Sequence, residues 1–203
     1  MFRRLLQETY ELLDLQFYDV ASSTNINNYT ANSGESITYD STEQAYKITK
    51  TGYEGLSSVT LNNNRFSNTV SIKADIKMGG SSTNHQVGIG LLNGNVGVDG
   101  KFTYYSPDNY YGVAFIESTR TSYGRNEVSQ ITSFNIQKNV WYTLIVEING
   151  NNQTLHLYDG DTLVGTVSAN KSVLSADNNE LAIWNGFFAN STTFIKNIQV
   201  KAL

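Results

Sequence analysis

The chain of 203 residues has no cysteine, one proline and two histidines, and only 16% of its residues are charged. Without cysteine there is no disulfide framework and no thiolate zinc site. No apolar run approaches the ~20 residues that a membrane-spanning helix needs, and the N-terminus lacks the continuous apolar segment and small-residue cleavage site of a secretory signal. Membrane insertion is therefore not expected, and a setting outside the cell would be reached as part of something larger. The net charge is −4 with no basic stripe interleaved with aromatics, so the footprint of a nucleic-acid binder is missing. His85 and His156 lack a third partner at metal-ligand or triad spacing, and no serine sits in a nucleophile elbow. No metal, no cofactor and no catalytic residue is implied.

What the chain does have is sixteen glycines, thirteen tyrosines and abundant Asn, Ser and Thr, which suits many short strands joined by polar turns. The clearest signal is Asn139 to Val167, three period-two runs separated by two glycine-containing turns. Tyr142, Leu144, Val146 and Ile148 alternate on one face, Leu155 and Leu157 follow, then Leu163 and Val167, and this spacing predicts a β-meander. Val70 to Lys77 alternates without a fault, with Val70, Ile72, Ala74 and Ile76 inward and Ser71, Lys73, Asp75 and Lys77 toward solvent. Shorter strands are expected at Ile37/Tyr39, Tyr46/Ile48, Val59/Leu61, Tyr111/Val113/Phe115 and Leu181/Ile183. In Val87 to Leu91, Gly88 and Gly90 leave one strand face without side chains, so a backbone, a ring or a ligand can approach closely. Between Ile195/Asn197 and Ile198/Val200 the phase shifts, which predicts a β-bulge near Asn197.

Only Phe2 to Phe17 has helical periodicity: Leu6, Tyr10, Leu13 and Phe17 recur at 3.6-residue spacing, Leu5 and Leu12 widen the stripe, and Glu8, Glu11 and Asp14 lie off it. A helix of four turns is marginal alone in water, so the stripe needs a partner surface. Docking on its own domain and self-association through Leu5, Leu6, Leu12 and Leu13 are the two options, and the second predicts a homo-oligomer, for instance a trimer. Arg3 and Arg4 are too few, and the acidic face too prominent, for a membrane-surface helix. Residues 1–17 are thus assigned as an N-terminal helix and 18–203 as one β domain, with Ala21 to Glu35 as an irregular connection.

Taken together, Asp108 to Phe115, Asn139 to Gly150, Leu155 to Gly160, Gly186-Phe187-Phe188 and Phe194 to Val200 resemble the concanavalin A-like lectin/glucanase superfamily, and within it the laminin G-like jelly-roll domains of carbohydrate-binding modules, adhesins and phage tail or fibre proteins. The resemblance spans about residues 15–203 and implies an all-β, two-sheet antiparallel sandwich preceded by the helix. It also implies a glycan or host-surface receptor as partner, in an extracellular setting beside other virion or surface proteins. Glucanases of this superfamily carry Glu-x-Asp-x-x-Glu, which sets two carboxylates on one strand face; this chain has no such motif. Asp159 and Asp161 flank Gly160 in a hairpin-turn pattern that backbone geometry explains, so neither catalysis nor calcium is assigned there.

Modules of this class hold sugars by stacking a ring on the apolar face of a pyranose while polar neighbours bond its hydroxyls. The candidate ligand-binding residues are therefore Tyr104, Tyr105 and Tyr110 around the Ser106 to Asn109 turn, Tyr123 and Arg125 in the polar Ser118 to Glu127 segment, and Trp184 with Asn185 beside Gly186. Tyr111 shares the alternation of Val113 and Phe115 and belongs to the core. Trp141 is assigned as a structural residue at a strand entrance, and His156 as a surface strand residue. A non-catalytic recognition module is the expected function; a purely structural virion protein is the rival, and a glycoside hydrolase comes third.

Overall fold

The computed structural model describes residues 15–31, 34–50, 56–80, 86–93, 101–102, 110–116, 120–123, 136–170, 176–185 and 191–203. These form one 3-10 turn, Asn25–Asn28, and fifteen strands: β1 (Leu15–Asp19), β2 (Tyr29–Ala31), β3 (Glu35–Asp40), β4 (Ala45–Lys50), β5 (Leu56–Leu61), β6 (Thr69–Gly80), β7 (Gln86–Asn93), β8 (Lys101–Phe102), β9 (Tyr110–Ile116), β10 (Arg120–Tyr123), β11 (Trp141–Asn149), β12 (Asn152–Asp159), β13 (Thr162–Asn170), β14 (Asn179–Asn185) and β15 (Ser191–Ala202). The strands form two antiparallel sheets. One has the order β13-β12-β11-β6-β15-β4-β3, with β1 also paired to β15; the other has the order β10-β9-β7-β14-β5-β2, with β8 also paired to β5. Between successive described strands the chain changes sheet eight times: at β1/β2, β2/β3, β4/β5, β5/β6, β6/β7, β10/β11, β13/β14 and β14/β15. This is the expected jelly-roll sandwich.

Alternation builds the core. Val70, Ile72, Ala74, Ile76 and Met78 of β6 and Tyr142, Leu144, Val146 and Ile148 of β11 (Trp141–Asn149) are buried from the eight-stranded sheet; Val59, Leu61, Val87, Ile89, Leu91, Leu181 and Ile183 are buried from the other. Each such Val, Leu or Ile contributes about 1.5–3 kcal/mol relative to exposure. The meander is present as β11, β12 (Asn152–Asp159) and β13 (Thr162–Asn170). Its two-residue turns, Gly150-Asn151 and Gly160-Asp161, carry φ of +58° and +57° at the first central glycine, the pattern of a type II′ turn, whose twist matches the flanking strands.

The bulge at Asn197 is also present. Lys196 pairs Asp75 and Gln199 pairs Lys73, so two residues of β15 oppose Ala74. Asn197 takes φ +54° and donates Nδ2 to Asp75 Oδ2 at 2.7 Å; a short polar side chain tolerates this left-handed conformation. The bulge divides one edge of β15 between two partners. Thr192 to Ile195 pair β4, and Ile198 to Lys201 pair β1 (Leu15–Asp19).

Four expectations are corrected. The helix does not reach Phe17: Leu15–Asp19 is strand, Phe17 pairs Val200, and its ring meets Phe66 edge-on at 6.3 Å. A free edge of β15 supplies ladder hydrogen bonds that override the local 3.6-residue pattern. Residues 1–14, including Leu5, Leu6, Leu12 and Leu13, lie outside the described residues. The Ala21 to Glu35 connection is not simply irregular, because it holds the 3-10 turn and β2 (Tyr29–Ala31), whose Tyr29 is in the core. Leu163 is 49% exposed; the register shift between Leu157 and Tyr158 turns Val164, not Leu163, toward the core. On β6 the outward face is less open than alternation implies, since Ser71 and Lys77 are buried and Lys73 is exposed.

Candidate functional site

Backbone register assembles the outward face of the seven-stranded sheet. Trp184 stands level with Ser58 on β5 and Gly88 on β7, and Ala182 stands level with Thr60 and Gly90. Gly88 pairs Ala114, Gly90 pairs Gly112 and Leu92 pairs Tyr110 on β9 (Tyr110–Ile116), and Ala114 pairs Ser122 on β10 (Arg120–Tyr123). The side-chain-free positions of Gly88 and Gly90 thus extend through Gly112, Ala114 and Ala182 into a patch of small residues across three strands. Gly88, Gly90 and Ala182 are buried, whereas Thr60 is half-exposed and Thr30 exposed. The face therefore opens toward β5 and β2. There Thr30 pairs Thr60, and its Oγ1 donates to Asn62 Oδ1 at 2.7 Å. At the same end Arg65 bridges Glu180 at 2.7 Å.

These placements sort the candidates. Trp184 is two residues along β14 from Ala182 and one diagonal from Thr60, a separation of about 7–8 Å between backbones. Tyr110 is two strands away and four residues along, about 16 Å distant between backbones; the two do not make one subsite. Asn185, the next residue along, stands level with Val87 on β7 and Ser57 on β5. Tyr123 pairs Val113 in register, three strands from Trp184. Tyr104, Tyr105 and Arg125 lie outside the described residues, as does His85.

Two clusters had no local sequence signal. In the first, the buried Asp19 carboxylate accepts from Tyr29 Oη at 2.5 Å, from Tyr46 Oη at 2.9 Å and from Asn25 Nδ2 at 3.0 Å. Burial, with the Asp19 charge and hydrogen bond added, drives the Tyr29 phenol far above the usual tyrosine range, and burial with the Asp19 hydrogen bond does the same to Tyr46. Asp19 and Tyr46 come from the eight-stranded sheet and Tyr29 from the other, so this clamp joins the two layers. Nearby on β4, Lys50 is buried on the core side; desolvation pushes its ammonium down, opposed by Glu35, its cross-strand neighbour.

The second cluster lies on the outward face of the eight-stranded sheet. Trp141, Lys77, Phe194 and Lys47 stand in one register row across β11, β6, β15 and β4. Lys77 Nζ is 5.1 Å from the Trp141 ring centre and 4.7 Å from that of Phe194, Lys196 Nζ is 4.1 Å from Trp141, and Lys47 Nζ is 6.0 Å from Phe194. Such contacts contribute about 0.5–1 kcal/mol each at exposed sites. Lys77 also bridges Glu43 at 2.5 Å. Trp141 is therefore a structural platform for lysines. Farther along, His156 bonds Thr166 Oγ1 at 3.0 Å and lies 3.5 Å from Glu147, as a surface strand residue does. Asp159 and Asp161 are exposed on their turn, and among the described residues no group of three His, Asp or Glu is placed to share a metal ion.

No family model matches the sequence, and no curated protein matches it. Solved structures do match in fold. Peanut lectin, solved with a nine-residue peptide, superposes with a TM-score of 0.68 at 8% identity, over 92% of this chain and 96% of the lectin. The carbohydrate binding module CBM66 from Bacillus subtilis superposes at 0.53 with 15% identity, over 88% of this chain and 98% of the module. The exoplasmic/lumenal domain of VIP36, with calcium and mannose bound, superposes at 0.62 with 11% identity, over 87% and 83%. The fold is that of the concanavalin A-like lectin jelly rolls.

Proposed function

We propose that this chain is a non-catalytic glycan-recognition module whose site lies on the outward face of the seven-stranded sheet, where β14 adjoins β5. The observation that carries this reading is the register position of Trp184, one diagonal from the half-exposed Thr60 on the neighbouring strand β5. An indole offers the apolar surface on which a pyranose ring stacks, and the Thr60 hydroxyl one strand over suits the sugar's hydroxyls, with Thr30 and Asn62 farther along the same face. Thr30 already holds Asn62 Oδ1, which turns the Asn62 amide nitrogen free to donate elsewhere. The fold's likeness to a lectin, a carbohydrate binding module and a mannose-bound domain supports the same ligand class, although a shared fold alone fixes no activity.

The setting we propose is a larger extracellular assembly, such as a virion tail or fibre or a cell-surface adhesin, with the chain present as a homo-oligomer. A surface carried by Asn, Ser, Thr and Tyr rather than by charge supports it. A glycan array followed by titration tests the function. Trp184→Ala abolishes the strongest array signal if the reading holds. Silence across a broad array, together with stable incorporation into a particle, favours a structural virion role, and release of reducing sugar from a polysaccharide favours an enzyme.

A further inference from the structure

The lysines on the outward face of the eight-stranded sheet are not accounted for by packing alone. Lys77 is accounted for: it is buried, bridged by Glu43 and held between Trp141 and Phe194. Lys47, Lys73 and Lys196 are different. Among the described residues none of the three has a carboxylate partner, in a chain with eighteen acidic residues against fourteen basic ones. Asp75 pairs Lys196 in register, yet its two oxygens are taken by neutral donors, Thr143 Oγ1 at 2.6 Å and Asn197 Nδ2 at 2.7 Å. The rings, and not carboxylates, gather Lys47 and Lys196. Phe194 pairs Lys47 in register and Lys196 lies two residues along, so the two lysines stand on a cross-strand diagonal of about 7–8 Å.

We infer that this face is a second binding surface, distinct from the Trp184 face, and that it takes an anionic polysaccharide through carboxylate or sulfate groups spaced along its chain. A cation resting on a ring keeps its charge while losing some of its side-chain freedom, so less ordering remains to be done when an anion arrives. The neighbours favour a sugar polymer over other polyanions. Thr38 is exposed and Thr49 and Thr143 half-exposed on the same face, and they set hydroxyls around the cations as a polyhydroxyl ligand requires. The inference shares only the ligand class with the proposed function, and it uses other residues on the other sheet.

The test is affinity electrophoresis and calorimetry of the intact chain with polygalacturonate, a uronate polymer, beside neutral pullulan, poly-glutamate and single-stranded DNA. Polygalacturonate retains the chain at 50 mM salt and releases it by 500 mM. The double variant Lys47→Gln/Lys196→Gln weakens that binding at least tenfold, while Lys47→Arg/Lys196→Arg keeps it and Trp184→Ala leaves it unchanged. Absence of retention at low salt overturns the inference, as does retention that the glutamine pair leaves intact. Equal retention by poly-glutamate or DNA overturns the assignment to a polysaccharide. Because the lysine variants leave the Trp184 face untouched, any glycan found on the array still binds them, and failure of one site is separable from failure of the other.

Discussion

On the eight-stranded sheet the outward positions carry long side chains that lie on one another, with Lys77 and Lys196 on Trp141, and Lys47 and Lys77 around Phe194. At the outward positions of the seven-stranded sheet stand Gly88, Gly90, Gly112, Ala114 and Ala182. The first face stabilises itself by cross-strand contacts of about 0.2–1 kcal/mol a pair. The second forgoes them, and a glycine inside a strand costs roughly 0.5–1 kcal/mol relative to alanine. Because Gly88, Gly90 and Ala182 are nevertheless buried, the small residues let the chain's own atoms pack close against the middle of that face. The long-chain face holds its own charges in place, and the small-residue face is closed at its centre and opens at Thr60 and Thr30.

The largest expected effect concerns the clamp that joins the two sheets. Asp19→Ala leaves three donors, two of them buried tyrosine hydroxyls, without their shared acceptor, and urea unfolding should show a loss of about 3 kcal/mol. A smaller loss would mean that the layers are held mainly by apolar packing. Next come two matched substitutions. Gly90→Val enters a buried position on the small-residue face and should cost about 2 kcal/mol by overpacking, while Lys73→Val, exposed on the other face, should cost within about 0.5 kcal/mol. Equal costs would break the contrast between the faces.

The smallest effect is spectroscopic. Tyr29 and Tyr46 are raised above the ordinary value of 10.0 in the folded state. Their contribution to stability is therefore complete below pH 10 and is lost as the pH rises beyond it, because the unfolded chain sheds those protons first. Absorbance at alkaline pH should show two phenols that ionise only with unfolding, and ionisation of all tyrosines before unfolding would contradict the buried clamp.

Much of the scaffold was legible because it is local. The meander, the inward set Val70 to Ile76 and the phase shift at Asn197 all follow from period-two spacing within one or two strands. What escaped depends on pairing between distant segments. Leu15 to Phe17 carry the end of a helical stripe, yet they form β1 because the bulge at Asn197 leaves β15 an edge to fill. Asp19 meets Tyr29 and Tyr46, and Trp141 meets Lys77 and Lys196, only through register that no window of sequence contains. The site was legible in the same partial way. Alternation made Trp184 and Tyr110 candidates, but their separation of about 16 Å, and the closeness of Thr60 to Trp184, follow from strand order.

The most direct measurement is a calorimetric titration of the best array glycan into the parent chain and into Trp184→Ala, with urea unfolding of both as control. An aromatic anchor at the centre of a site is worth about 2 kcal/mol, or some thirtyfold in affinity. The account predicts at least a tenfold loss of affinity with the unfolding midpoint unchanged. Undiminished affinity in Trp184→Ala would contradict it.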